Sequence, residues 1–555
     1  MNKQIEYNEL LKKYFGYEKL KPEQFEIIDK VVNENKDVLA VLATGFGKSI
    51  TYIMPHLITN KNVVVISPLI ALIKDQSNMI QKMNVPVCVL NSTNTQKTTE
   101  KKNILKGQNK IIFITPEYLE LCKDFIVAMH KANSLCCIAI DESHCVSTFS
   151  DFRPSYTKLH VFKKWVPNVP ILALTATASK KVREDIKKTL SVNPHVIIGG
   201  FDRPNLYLQV RPKSKNVQED LKYLLEKYKN EYIIIYCKTR DETDNITEMI
   251  NNMGINCLAY HAGLDSEIRE ETQNKFIEGQ IKCIIATVAF GMGINVKNIR
   301  LVIHYGCPKN IESYYQEIGR AGRDGEFSEC HMFYSNKDFA QNRYFIKEIK
   351  NETHRNYQSQ QIQLIEKYVF SMECRRILLL KSFDEIINSN NCKNCDNCLK
   401  KKNIITFDFT VALYNLLILI NDLNGKYGST FLINIIRGSN AKNIYDHHKK
   451  NQVYGMGKKY SLLWWKNVVR ILINQEYLKE VSLQGKFGSV IGSTDKSNLW
   501  LKTILMKYKN MDVFDLILTD ENMSIDIADE DKIILPITQD FKKLIDKTNS
   551  QSSDI

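Results

Sequence analysis

The chain has 555 residues, 44% hydrophobic and 25% charged, which excludes a single small core and a disordered or fibrous protein and implies roughly three or four domains. Its formal charge of +14 suits a polyanionic partner; residues 511–535 hold eight acids against one base, Lys532, so the rest is more basic still. The longest apolar run, VALYNLLILI at 411–420, is too short to span a bilayer, and MNKQIEYNELLKKYF at the start has no apolar signal core.

Fourteen cysteines in such a chain point to metal or free thiols in a reducing compartment, nucleus or cytoplasm. Short apolar runs alternate with helical patterns in two successive stretches. The first holds VLAVL (38–42), VVVIS (63–67), IIFIT (111–115), CCIAID (136–141) and ILALTA (171–176). The second holds YIIIYC (232–237), CLAYH (257–261), CIIAT (283–287) and LVIHY (301–305). Such runs predict parallel sheets covered on both faces, hence two α/β domains, 1–203 and 204–340.

After VLAVL come Thr44, Gly45, Phe46, Gly47, Lys48 and Ser49, then a helical pattern. Two glycines let backbone N–H groups close around phosphate at a helix N-terminus; Lys48 would reach the β/γ-phosphates and the Ser49 hydroxyl would ligate magnesium. Leu42 stands where the first glycine of this loop usually stands. Asp141, ending its strand, is a second magnesium ligand, and Glu142 can orient and deprotonate an attacking water. In YYQEIGRAGRDG (314–325), Arg320 and Arg323 are three apart and would share a helix face, supplying cations to the γ-phosphate from the second domain.

Past 340 the strand rhythm stops. A helical subdomain at 341–403 carries Cys374, Cys392, Cys395 and Cys398, a spacing whose four thiolates suit tetrahedral zinc or, on chemistry alone, an iron–sulfur cluster. In the mixed segment 404–508, SLLWWKNVVRILINQEYLKEV begins on a Ser461 cap and leads into two short strand-like runs, which suggests a winged helix. Lys442, Lys449, Lys450, Lys458 and Lys459 would face phosphates. An acidic tail, 509–555, is expected to be flexible and is a candidate for a basic protein partner.

Several segments, in this order, closely resemble the RecQ family of superfamily-2 DNA helicases: FGYEKLKPEQ (15–24), ATGFGKS (43–49), SPLIALIKDQ (67–76), DESH (141–144), DFRPSY (151–156), LTATA (174–178), FDRPNL (201–206), YCKTR (236–240) and 286–325. The resemblance covers about residues 10 to 505. It implies two tandem RecA-like domains, a helical zinc-binding subdomain and a winged-helix domain, in an ATP- and magnesium-dependent, monomeric enzyme. That enzyme would track 3′→5′ on single-stranded DNA and unwind tailed or forked duplexes in replication, recombination or repair. It favours zinc at the four cysteines.

By resemblance, Tyr17 stacks on adenine and Gln24 bonds its edge, while Lys21 stands where the family has arginine and cannot supply a planar fork. Gln316 joins the nucleotide contacts, and His144, Thr175 and Thr177 couple hydrolysis to movement. The aromatic loop after DESH, about one residue short, offers Phe149 and Phe152 to bases and Arg153 to phosphate; Arg240 is a further DNA contact. Phe487, in GKFGS, is the candidate strand-splitting wedge at the wing tip. Rival readings are an RNA helicase, a translocase that does not unwind, and a DNA-binding scaffold without ATPase activity.

Overall fold

The computed structural model describes every residue except 1, 69, 92–95, 149–153, 292–295, 386–390, 400–404, 483–488, 508–527 and 538–555. The chain divides into two compact units, one of residues 1–368 with 374–396, the other of 369–373 with 397–555.

The first unit contains two parallel sheets. Strands β1 (Val38–Val41), β2 (Asn62–Ile66), β3 (Val87–Leu90), β4 (Ile111–Ile114), β5 (Leu135–Ile140), β6 (Ile171–Thr175) and β7 (His195–Ile198) form a seven-stranded sheet in the order β3-β4-β2-β5-β6-β1-β7. Strands β8 (Leu206–Pro212), β9 (Tyr232–Cys237), β10 (Cys257–Tyr260), β11 (Cys283–Ala286), β12 (Ile299–Tyr305) and β13 (Ser328–Tyr334) form a six-stranded sheet, β10-β11-β9-β12-β13-β8. The central strands β1, β2 and β6 are buried along their whole length and β5 everywhere but at half-buried Cys136, as covered parallel strands must be. Adjacency of β1, β6 and β5 sets the loops after their carboxyl ends side by side, where open α/β sheets bind ligands.

Four of these strands escape hydropathy. β3, β7 and β8 are edge strands: β3 is a short run, VCVL, alternating half-buried and buried positions, while β7 and β8 have exposed positions. β13 is internal but polar: His331 Nε2 lies 2.8 Å from Glu329 Oε2, and Lys227 Nζ 2.6 Å from Glu329 Oε1, so buried polar groups satisfy each other. Helices over 336–347, 352–370 and 375–381 complete this unit toward the cysteine cluster.

The second unit packs helices Thr410–Asp422, Ser429–Ile436 and Leu462–Asn474 around a core that includes Leu413, Leu416, Ile433, Trp464, Trp465 and Leu472. The Ser461 hydroxyl caps the third helix, accepting from Trp464 N. Strands β15 (Leu478–Ser482) and β16 (Ser489–Ser493) pair antiparallel behind it, as the wing of a winged helix.

The expectation of a flexible tail needs correction at 528–537. Strand β17 (Ile534–Ile537) pairs antiparallel with β14 (Ile405–Asp408), and Ile533, Leu535 and Ile537 are buried in the same core. Trp500 Nε1 donates to Asp531 O at 2.9 Å. The acids mask a short apolar strand that composition averages away. The remainder of the tail, 509–527 and 538–555, lies outside the described residues.

Candidate active site

The loop after β1 is shaped by its glycines. Gly45 and Gly47 hold φ of 81° and 97°, conformations side chains rarely adopt, and a Cβ on Gly47 would sit 2.5 Å from Gln24 Nε2. That amide donates to the carbonyls of Phe46 and Gly47 at 3.1 and 3.3 Å. Lys21 caps the helix Pro22–Val32 and lays its ammonium over the Phe46 ring, 4.0 Å from the centroid. Tyr17 is exposed.

Lys48 opens the helix Lys48–Thr59, its Nζ 3.3 Å from Leu42 O. Ser49 Oγ and Tyr52 OH both donate to Gln76 Oε1 at 3.0 Å. Thr44 Oγ1 is buried with no hydrogen-bond partner among the described residues.

The end of β5 turns sharply through Glu142, at φ 47°. Tyr156 OH braces the turn by donating to Asp141 O at 3.1 Å. Burial, and then the Glu142 carboxylate, push the buried Asp141 carboxyl up to about 7. Magnesium would reverse that penalty, so a site costly for bare carboxylates suits a divalent cation. Glu142 Oε2 lies 3.3 Å from His144 Nδ1.

Burial lowers the His144 pKa, keeping the ring neutral. Thr175 Oγ1 donates to Thr177 O at 2.8 Å, so it accepts from His144 Nδ1 at 3.0 Å, which assigns the proton to Nδ1. His144 Nε2 is then an acceptor. Gln316, from the second α/β domain, donates to Thr177 Oγ1 at 3.0 Å and to that nitrogen at 3.4 Å.

Arg320 and Arg323 follow the helix Ile311–Ile318 rather than lying on it; the helix stops at Gly319 and both sit in turns, which corrects the expectation of a shared helical face. The turn faces the phosphate loop directly. A Cβ on Gly319 would lie 2.9 Å from Thr44 Oγ1, and one on Gly45 3.4 Å from Arg323 Cγ. Burial, then Arg320 and Arg203, hold the Arg323 guanidinium below its ordinary value. Crowded cations beside a glycine-shaped loop are what a polyphosphate would relieve.

Gln76, which ties Ser49 to Tyr52, and Arg203, which holds the arginine turn, went unpredicted, although both lie in motif stretches, SPLIALIKDQ and FDRPNL.

Other expected contacts stand apart. Arg240 is exposed, opening the helix Arg240–Asn252, with its Cδ 3.1 Å from where a Gly263 Cβ would be. Lys458 is exposed in the second unit, as are Lys442, Lys449, Lys450 and Lys459. Trp465 Nε1 holds the preceding carbonyl, Gly457 O, at 3.0 Å. Phe149, Phe152, Arg153 and Phe487 lie outside the described residues.

The Sγ atoms of Cys374, Cys392, Cys395 and Cys398 all lie within 4.8 Å of one another. Zinc–sulfur bonds of about 2.3 Å place four tetrahedral sulfurs at comparable separations, with no position left for water, so the set fits a structural zinc. The other ten cysteines are free thiols, nearly all buried. Among the described residues no helix is long and apolar enough to cross a membrane.

Four families match in succession: DEAD/DEAH box helicase at 21–186, helicase conserved C-terminal domain at 216–325, RecQ zinc-binding at 336–399 and RQC domain at 403–509. A protein of Acanthamoeba polyphaga mimivirus, provisionally named an ATP-dependent RNA helicase, is 44% identical over 89% of this chain and 92% of its own length. The bifunctional 3′-5′ exonuclease/ATP-dependent helicase WRN of Mus musculus is 38% identical over 88% of this chain but only 37% of its own. The ATP-dependent DNA helicase RecQ of Haemophilus influenzae is 37% identical over 85% of this chain and 76% of its own. With its helicase domains, cysteine cluster and RQC domain in that order, the chain belongs to the RecQ family of ATP-dependent helicases.

Proposed function

We propose that this enzyme unwinds tailed or forked duplex DNA, moving 3′→5′ along one strand, in replication, recombination or repair. The observation that carries the reading is the apposition of Gly319 and Arg323 with Thr44 and Gly45, which builds one crevice from two domains. ATP bound there with magnesium supplies the phosphoanhydride whose cleavage drives movement. Tyr17, Lys21 and Gln24 hold the base; Thr44 to Ser49 and Lys48 hold the phosphates; Ser49 and Asp141 ligate magnesium. Glu142 takes the proton of the attacking water, and Arg320 and Arg323 neutralise charge developing on the γ-phosphate.

Gln316 belongs to the nucleotide contacts, and His144, Thr175 and Thr177, which it meets through hydrogen bonds, pass the state of the crevice between domains. Phe149, Phe152, Arg153 and Arg240 contact the single strand, Lys458 the duplex backbone, and Phe487 parts the strands. The enzyme works as a monomer in nucleus or cytoplasm, and the acidic tail docks a basic protein.

An RNA substrate is the second reading, favoured by the name of the mimivirus relative. ATPase and unwinding assays on tailed DNA and tailed RNA duplexes, wild type beside Glu142→Gln, decide between them. DNA-selective activity, lost at least about 100-fold in the variant as general-base removal demands, is expected. RNA-selective stimulation would overturn the DNA assignment.

A further inference from the structure

The two arginines of the crevice sit in a turn, and a turn holds a position only if something fixes its carbonyls. Arg203, in the link between the two sheets, does so. Its Nη2 donates to Ala321 O at 2.8 Å and Gly322 O at 2.7 Å, and its Nη1 to Gly319 O at 3.4 Å. Asn205 Nδ2 adds Gly322 O at 3.0 Å and Glu326 O at 2.9 Å. Two side chains, two residues apart, thus grip four carbonyls spread over 319–326.

The link is itself held from behind, by residues beside the zinc ligands. Arg376, two after Cys374, donates to Asp202 Oδ1 at 2.8 Å and Leu206 O at 2.6 Å, and also to Arg203 O. Asn394, between Cys392 and Cys395, donates to Pro204 O at 2.8 Å. Asp396 reaches the adjoining strand, accepting from Val210 N at 3.1 Å.

None of these contacts touches the nucleotide loop. Those of Arg203 and Asn205 end on one object, the backbone carrying Arg320 and Arg323, and the others hold the link that presents these two side chains. Arg203 is also costly to place: burial lowers its pKa, and its acceptors are carbonyl dipoles instead of a carboxylate. Neighbouring Arg376 and Arg323 add like charge. A guanidinium kept there suits a task that needs a fork reaching several carbonyls at once.

We infer that Arg203, with Asn205, is a positioning residue for ATP hydrolysis, locking the arginine turn against the phosphate loop from a platform built on the cysteine knuckle. The inference rests on the ATP-crevice reading above. Loosening the turn removes transition-state charge stabilisation and leaves ground-state nucleotide binding, so kcat falls while affinity holds.

The test is a double-mutant cycle on full-length protein, following DNA-stimulated ATPase, affinity for a non-hydrolysable ATP analogue, zinc content and amide exchange over 319–326. Arg203→Ala is expected to lower kcat by about 10- to 100-fold, within the range arginine-finger loss reaches, and to change analogue affinity less than about threefold. Amide exchange over 319–326 should accelerate at unchanged zinc content. Because Arg203 acts only through the placement of the two arginines, adding Arg203→Ala to Arg320→Ala/Arg323→Ala should cost nothing further.

Arg203→Lys should not rescue, since one ammonium cannot span three carbonyls. If Arg203→Ala does not fold, Asn205→Ala serves, with a smaller loss of the same kind. Unchanged kcat in the folded variant, or a further loss when Arg203→Ala is added to Arg320→Ala/Arg323→Ala, would overturn the inference. Full activity in Arg323→Ala would instead overturn the crevice reading itself.

Discussion

The side-chain amide of Gln316 donates to Thr177 Oγ1 at 3.0 Å, joining residues 139 positions apart in the two α/β domains. The same nitrogen lies 3.4 Å from His144 Nε2, whose ring is tied through Thr175 to the end of β6. Gln316 therefore connects the helix that precedes the arginine turn to the segments beside the Asp-Glu strand end by hydrogen bonds. Replacing it with alanine should reduce DNA-stimulated ATPase by roughly tenfold, the equivalent of one such bond, with ATP affinity little changed. Steady-state kinetics beside equilibrium nucleotide binding separate the two; an equal loss in affinity would place Gln316 at the nucleotide instead.

Glu312 makes a pH prediction. Its carboxylate is buried at the start of the helix Ile311–Ile318 and accepts from Tyr357 OH at 3.0 Å. Burial raises its pKa above 4.5, the Tyr357 bond opposing. A carboxyl whose folded pKa is raised binds its proton more tightly when folded, so its contribution is whole below 4.5 and drains away as pH climbs through the raised value. The stability advantage of wild type over Glu312→Gln should therefore shrink as pH rises from 4.5 to the raised value and level off above it, measured by urea unfolding of both proteins from pH 4.5 upward. A constant difference would show that Glu312 does not titrate there.

The cysteine cluster predicts a stability effect. Cys395 is fully buried, and the helix Asp396–Leu399 starts beside it with Arg375 Nε donating to Asp396 Oδ1 at 3.0 Å. Cys395→Ser should yield protein with less than one zinc per chain by elemental analysis and lower its stability by several kcal/mol, since metal binding energy in such sites is folding energy. Wild-type melting with intact zinc content in the variant would exclude a four-thiolate site.

Lys458 and Lys459 are exposed on a turn whose position Gly457 and Trp465 set: a Cβ on Gly457 would fall 2.5 Å from Trp465 Cζ2. If these ammoniums neutralise phosphates, Lys458→Ala/Lys459→Ala should weaken duplex binding uniformly across sequences. It should also lower the slope of log K against log salt by about one per lost contact. Fluorescence anisotropy titrations at several salt concentrations read both, and an unchanged slope would remove the pair from the interface.

Residues proposed to act together with their sequence neighbours were legible as candidates without coordinates. Phosphate binding needs glycine freedom, an ammonium and a hydroxyl within a few residues, so Gly45 to Ser49 announced themselves; the strand-end pair Asp141-Glu142 and the spacing of four cysteines did the same. Central strands were legible because near-complete burial demands unbroken apolar runs, as in VLAV, LCCIAI and ILALT. Edge strands β7 and β8, half wet, and β13, where buried Glu329 pairs with His331, carry no such signature, and β3 offers only the four-residue run VCVL.

Tertiary structure alone decided the relations between distant segments. Nothing local says that Arg203 grips carbonyls of 319–322, that Gln316 meets Thr177, or that 534–537 leaves an acidic stretch to pair with 405–408. A motif is a requirement on adjacent residues, and adjacency is written in the chain. A carbonyl looks the same in every residue that offers it, so which one a side chain finds depends on where the folded backbone brings it.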